Sequence, residues 1–409
     1  MNAVNTLASR TYWNPGITQA GQELGINLLT DKRQGYFLHD VDGSRLIDVH
    51  LNGGSLNLGY RNPELVETLT LATQRFDMGD QQLPSLAASA LAEALAVAAP
   101  GDLQNTVYGT SSAEVRRIAI NTARQTKPAG KIVSILGNAI ESDMAEQDFI
   151  AVPYNDLKAM EDTLAKGDIA AVIIETIPQD NDFIMAGEGY LHTVKNLCER
   201  YNALYIADET QIGLMHTGQL WAISGYGIQP DILLIGNGLT GGMYPIACAI
   251  ISRKYPSGLQ QNESMYASGI ELGCIVALKT LEICQRREVR DLAHHIGEFI
   301  GTELARMQSL YSDFFTAMHR HGLVMGLEFK SNDSAKAVMK QLYHHGILAN
   351  ISSYTSSVLS IKPGILMTQT LAEELLIRIE AAIFAAHQDS IASGNMTPSN
   401  LHSKIKNVG

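Results

Sequence analysis

Pro230-Asp231-Ile232-Leu233-Leu234-Ile235-Gly236-Asn237-Gly238-Leu239-Thr240-Gly241-Gly242-Met243-Tyr244-Pro245-Ile246 decides how the chain is read. Four consecutive apolar residues, Ile232 to Ile235, give a strand signal. Four glycines then mark a loop around Asn237, and a second apolar run, Ile246 to Ser252, resumes the strand pattern.

Upstream of this stretch the same alternation extends back to about residue 105. Strands are expected at 106–108, 131–135, 149–152, 170–175, 203–208, 232–235 and 246–252, and helices near 112–126, 155–165 and 189–201. Alternation of this kind indicates an α/β architecture with a mostly parallel seven-stranded sheet. Uninterrupted apolar strands such as Ala170-Ala171-Val172-Ile173-Ile174 suit a sheet covered on both faces. Before it, Tyr36-Phe37-Leu38 and Leu46-Ile47-Asp48-Val49 flank Val41-Asp42-Gly43-Ser44, a hairpin turn. Helical patterns follow at 64–75 and 84–98. Beyond 270, helical patterns at 271–287 and 289–307 precede strands near 322–329, 346–350 and 357–361 and helices near 334–345 and 370–387. The expected division is residues 1–50 joining a small α+β domain, 51–270 as the large α/β domain, 271–387 as the small domain, and 388–409 as a loose tail.

The bulk numbers narrow the function classes. The chain has 409 residues, 45% hydrophobic and 18% charged, enough for a sizeable core. Its 42 acids against 30 bases give a net charge of −12, which argues against nucleic acid or anionic membrane as partners. Cys198, Cys248, Cys274 and Cys284 form no C-x-x-C pair, and they read as buried thiols in a reducing, cytoplasmic setting. No His/Cys cluster has metal-ligand spacing. Met1–Tyr12 lacks the apolar core of a signal peptide, and no apolar run is long enough to span a bilayer.

Four elements carry candidate chemistry. Asp208 ends the apolar strand Tyr205-Ile206-Ala207, and open α/β sheets bind ligands at the carboxyl ends of strands. It suits a cationic ring nitrogen, or simply the amides of its own loop. Tyr108-Gly109-Thr110-Ser111-Ser112-Ala113-Glu114 joins a strand to a helix. Its hydroxyls and backbone N–H groups suit an anion, and equally an ordinary N-cap with a following Glu. Gly213-Leu214-Met215-His216-Thr217-Gly218 is a flexible loop whose His216 reads as a loop or surface histidine before it reads as a catalyst. The fourth element is the Asn237 loop.

In this order and spacing the four elements resemble the class III aminotransferases, of pyridoxal-phosphate fold type I. The resemblance runs from about Gly35 to Ala386. It rests on Ala207-Asp208-Glu209-Thr210-Gln211-Ile212-Gly213 through Gly218, on Pro230 to Ile246, and on Asn57-Leu58-Gly59-Tyr60-Arg61-Asn62-Pro63. Glu271-Leu272-Gly273-Cys274 and Val324-Met325-Gly326-Leu327-Glu328-Phe329 resemble the small-domain signatures. The resemblance implies that Asp208 pairs with the pyridine nitrogen, that Gln211 lies near the ring oxygen, and that the first helix start, Ser111 and Ser112, holds the phosphate. It also implies a lysine at position 237, forming the Schiff base and later moving the proton.

The chain departs from that pattern together at several points. Asn237 carries an amide, which cannot form an imine. Ser112 adds a side chain where glycine is usual. Ala139-Ile140-Glu141 stands where an aromatic ring-stacker is usual, and Glu141 adds negative charge. The covering loop after it is short. Tyr266-Ala267-Ser268-Gly269 replaces the partner subunit's phosphate-binding Thr, with Ser268 as the possible substitute. Lys254, Lys279 and Lys362 are the alternative amines considered, and none is placed for the imine carbon.

The functional expectation is a protein not competent for ordinary transamination, repurposed as an enzyme that acts on a small metabolite in the interdomain cleft. It uses no pyridoxal or pyridoxamine phosphate, or binds one only non-covalently. Asp208, Glu141, His216 and Asn237 are the acid–base candidates; Ser111, Ser112, Asp208, Gln211 and Ser268 are the vestigial cofactor contacts. The alternatives are a non-catalytic partner of an active aminotransferase-like chain, and an enzyme with non-covalent cofactor. A homodimer or heterodimer is implied.

Overall fold

The computed structural model describes residues 28–76, 85–135, 149–179, 183–255, 270–351 and 357–392. They form two units: Met1–Leu51, Gly59–Arg61 and Leu292–Gly409 make one, and Asn52–Leu58 with Asn62–Asp291 the other. The first opens with an antiparallel ladder of β1 (Thr30–Gln34), β2 (Phe37–Asp40) and β3 (Arg45–Asp48). Gly43, at φ +94°, makes the expected turn between β2 and β3; its N–H donates to the Asp40 carbonyl.

The second unit is built on β4 (Leu103–Gly109), β5 (Lys131–Ile135), β6 (Phe149–Val152), β7 (Ile169–Glu175), β8 (Leu204–Glu209), β9 (Ile232–Ile235) and β10 (Ala247–Ser252). Their order is β4-β10-β9-β8-β7-β5-β6. Only β10 runs antiparallel, against β4 and β9; the other neighbours pair in parallel. The mostly parallel seven-stranded sheet read from the sequence is therefore the observed one. Every residue of β7, β8, β9 and β10 is buried, as strands with both faces covered must be. The crossover helices Ser112–Thr126 and Leu157–Leu164 begin at Ser111 and Asp156, whose side chains accept the N–H of Glu114 and Ala159.

One boundary differs from expectation. The helix Glu271–Gln285, assigned above to the small domain, belongs with the large sheet. It packs on the helices Pro63–Ala72 and Leu86–Ala98, burying Leu272, Val276, Leu281 and Ile283. Arg286 just beyond it forks onto Glu64 at 2.7 and 2.6 Å. The division falls instead inside the long helix Arg287–Leu310.

The remainder of the first unit contains β11 (Phe315–His321), β12 (Val324–Phe329), β13 (Ile347–Leu348), β14 (Asn350–Ile351) and β15 (Val358–Ile361). β13 extends the β1–β3 ladder, and the rest form a four-stranded sheet ordered β11-β12-β15-β14. β1 and β11 had no counterpart in the sequence reading. Both are edge strands, largely exposed or half-buried, so neither needs an apolar alternation to hold its place. The last helix runs to Ala392, past the expected start of the tail at 388. All four cysteines are buried. Among the described residues no His/Cys/Asp/Glu group could hold a metal ion, and no helix is long and apolar enough to cross a membrane.

Candidate functional site

The parallel sheet brings Asp208 and Asn237 to one edge. Asp208 is next to last on β8, in register with Glu175 of β7 and Leu234 of β9. Asn237 opens a short 3-10 turn, Asn237–Thr240, directly after β9. The loops that follow the two strands lie against each other. A Cβ at Gly236 would collide with the Thr210 carbonyl, and one at Gly213 with the Gly54 carbonyl and the His216 ring. Glycine at 213 and 236 is thus a requirement of close backbone approach.

The charge at Asp208 is already answered from within the chain. Its Oδ2 accepts from Arg116 Nε at 2.6 Å, and its Oδ1 accepts from the Thr210 N–H at 2.9 Å and the Thr210 hydroxyl at 2.7 Å. Arg116 Nη2 in turn donates to Thr210 Oγ1 at 2.8 Å. The side chains are only 6% and 0% exposed. A charge pair this deep holds because its groups are hydrogen-bonded on both sides; either charge left alone would be strongly unfavourable. The loop-capping reading of Asp208 is observed in its bonds to Thr210.

Arg116 was not singled out in the sequence, although a signal was present. In the helix Ser112–Thr126, positions 116, 119, 120 and 123 share one face, and Ala119, Ile120 and Ala123 on it are fully buried. An arginine on such a face has to meet an acid.

The candidate phosphate element is also closed on itself. Ser111 Oγ accepts the Glu114 N–H at 3.3 Å, and Glu114 Oε2 accepts the Thr110 N–H at 2.7 Å and its hydroxyl at 3.0 Å. This is a capping box reaching one residue further back than usual. It places a carboxylate on the Thr110 donors, next to the helix start. Ser112, the first helical residue, is half-buried.

The other candidates divide. The Asn237 side-chain oxygen Oδ1 is buried and has no hydrogen-bond partner among the described residues, while its backbone carbonyl accepts from Gly242 N–H and the Thr240 hydroxyl. Gln211 accepts Gln179 Nε2 at its carbonyl, 2.7 Å away, and its Oε1 lies beside Gly53. His216, expected on a surface or flexible loop, is fully buried, packed beside Gly54 and Gly213. The glycines that let the loops meet enclose it. Glu209, which no chemical role had been assigned, is buried beside Asp208. It accepts the N–H groups of Ala222 (2.8 Å) and Ile223 (2.6 Å) and the Thr176 hydroxyl (3.0 Å). Burial pushes its pKa up to about 7 against the pull of those donors. Glu141 and Ser268, with Ala139 and Tyr266, lie outside the described residues. Of the alternative lysines, Lys254 lies 3.5 Å from Asp102 and Lys279 pairs with Glu282. Lys362 is buried in the other unit.

Pyridoxal phosphate, which the resemblance implies, needs an amine for its aldehyde, a carboxylate for its ring nitrogen and donors for its phosphate. Here the first two positions present an amide and a carboxylate already bonded to Arg116, and beside Ser111 and Ser112 the Thr110 donors are taken by Glu114. Asn237 and the Arg116-bonded Asp208 do not fit the group.

The comparisons agree with the fold. The family model for class-III aminotransferases matches residues 18–138 and 127–383. An uncharacterized aminotransferase of Archaeoglobus fulgidus is 31% identical over 89% of this chain and 90% of its own length. A putrescine aminotransferase of Pectobacterium atrosepticum is 28% identical over 83% and 78%. The ornithine aminotransferase structure from Toxoplasma gondii superposes with a TM-score of 0.85 at 21% identity, covering 94% of this chain and 95% of that one. Acetylornithine aminotransferase from Elizabethkingia anophelis gives 0.79 at 25% identity, over 90% and 98%. A match along almost the whole length, joined to the seven-stranded sheet that carries Asp208 and Asn237 on one edge, makes this chain a member of the class III aminotransferase family.

Proposed function

We propose that this chain is a class III aminotransferase-fold protein that does not carry out pyridoxal-phosphate-dependent transamination, and that it acts on a small molecule held without a covalent bond. The Arg116–Asp208 ion pair carries the reading, because it answers from inside the fold the charge that a cofactor ring would answer. Asn237 supports it in two ways. Its amide cannot form an imine, and its unpartnered buried Oδ1 is an acceptor that a hydrogen-bond donor would satisfy. The ligand is therefore expected to carry an N–H or O–H group. The expected assembly is a dimer, with itself or with an aminotransferase-like chain, which light scattering and co-purification would test.

The family as a whole argues for the cofactor, so the test is direct. Purified protein is titrated with pyridoxal phosphate and with pyridoxamine phosphate, and melting is followed. A ligand at 100 times its Kd stabilises by about 2.7 kcal/mol, so binding of ordinary strength is visible. No shift is expected with either compound. Assays with putrescine, or a panel of amino acids, as donor and an oxo-acid as acceptor are expected to show no turnover above background. Loss of a positioned proton-transfer group costs about 10²–10⁴-fold by itself. Turnover near that of a lysine-bearing relative would overturn the reading.

A further inference from the structure

The missing lysine and the buried ion pair are separate facts with separate consequences. Asn237 removes the covalent anchor. The Arg116 guanidinium removes the non-covalent one. Asp208 has its Oδ2 on Arg116 and its Oδ1 on Thr210. A protonated ring nitrogen brought to that carboxylate would displace a bond of 2.6 Å and would meet a second, buried positive charge. Arg116 cannot swing away at little cost. Its helix face packs into the core with Ala119, Ile120 and Ala123, and its Nη2 is tied to Thr210.

We propose that Arg116 is the specificity-determining residue of this sheet edge: it excludes cationic nitrogen heterocycles by holding the Asp208 carboxylate. Restoring lysine at position 237 therefore does not restore cofactor capture while Arg116 is present. This rests on the reading that the wild-type chain does not bind the cofactor, and it goes further by assigning the exclusion to one side chain.

Four proteins test it: wild type, Asn237→Lys, Arg116→Gln and the double variant. Pyridoxamine phosphate, which needs no lysine, is the probe for the ring site, read by melting shift and calorimetric titration. Pyridoxal phosphate followed by borohydride is the probe for capture, read by intact mass. In capture the lysine amine adds to the aldehyde carbon, water leaves as the C=N bond forms, and hydride from borohydride reduces it to a stable secondary amine. The expected results are no binding by wild type, little adduct with Asn237→Lys, at least tenfold tighter pyridoxamine phosphate binding by Arg116→Gln than by wild type, and stoichiometric adduct with the double variant. Should Arg116→Gln not fold, Arg116→Met keeps the apolar stem against Ala119, Ile120 and Ala123 while removing the guanidinium, and the same gain in pyridoxamine phosphate binding is expected there.

Efficient capture by Asn237→Lys alone, or no gain in a folded Arg116→Gln or Arg116→Met, would overturn the proposal. Binding by wild type would instead sink the functional reading itself, so the two failures are distinguishable.

Discussion

Two aspartates mark opposite ends of the same sheet, and each holds a cation. Asp208 lies near the carboxyl end of β8; Asp231 lies just before the start of β9. Asp231 accepts from Lys195 at 2.9 Å, from the Tyr205 N–H at 2.8 Å and from the Tyr255 hydroxyl at 3.3 Å. Lys195 and Asp231 keep 14% and 10% exposure and line a polar cavity with Asp102, His192 and Lys254. Arg116 and Asp208 keep 6% and 0%. The pairs use the same chemistry, but the first is a staple at the rim and the second is sealed inside. A rim pair can lose one partner to water. A sealed pair cannot, so Arg116 and Asp208 are each indispensable to the other.

The largest expected effect breaks the sealed pair. Arg116→Ala leaves an uncompensated carboxylate in the interior and is expected to cost about 3–5 kcal/mol of stability at neutral pH. Equilibrium denaturation measures it, with Lys195→Ala as the comparison at about 1 kcal/mol or less. Equal losses for the two would show that burial is not what separates them.

A second effect belongs to the sealed end alone. Glu209, beside Asp208, has a folded-state pKa raised from 4.5 to about 7. The folded state therefore holds a proton that the unfolded state has released between those values. This contribution is fully present below about pH 4.5 and is lost as pH rises through about 7. At about 1.36 kcal/mol per pH unit the loss is about 3 kcal/mol. Denaturation midpoints across that window should fall for wild type and flatten in Glu209→Gln. A wild-type midpoint that rises across the window, with no difference in Glu209→Gln, would mean that the backbone donors of Ala222 and Ile223 outweigh burial.

At the rim, Asp231→Ala removes the acceptor of the buried Tyr205 N–H as well as the partner of Lys195. A loss of about 1–3 kcal/mol is expected, from the orphaned donor more than from the ion pair. A double-mutant cycle with Lys195→Ala separates the two. A coupling energy above about 2 kcal/mol would place the rim pair in the same class as Arg116–Asp208.

The contrast also explains what the sequence disclosed. β7, β8 and β9 were legible because strands covered on both faces have no choice but to be apolar. Asp208 stood out for the same reason, as the first charge after such a run. Arg116 drew no notice on its helix, and only its spacing from Ala119, Ile120 and Ala123 betrays its burial. His216 misled in the other direction: a loop rich in glycine reads as open, yet those glycines serve to press backbones together over the ring. β1 and β11 left no pattern, since an edge strand takes its order from its neighbour's backbone bonds.

The smallest effect concerns the start of the helix that carries Arg116. Glu114 reaches back to the Thr110 N–H and hydroxyl, and Ser111 caps the Glu114 N–H. Caps of this kind contribute about 1 kcal/mol. Glu114→Ala should cost that much, and it should also free the Thr110 donors at a helix N-terminus, where anions are favoured. Inorganic phosphate should then stabilise the variant more than it stabilises wild type, by a small melting shift that chloride at equal ionic strength does not reproduce. An equal response of the two proteins would mean that Glu114 is a cap and nothing more. The proposed exclusion of the cofactor would then rest on Arg116 and Asn237 alone.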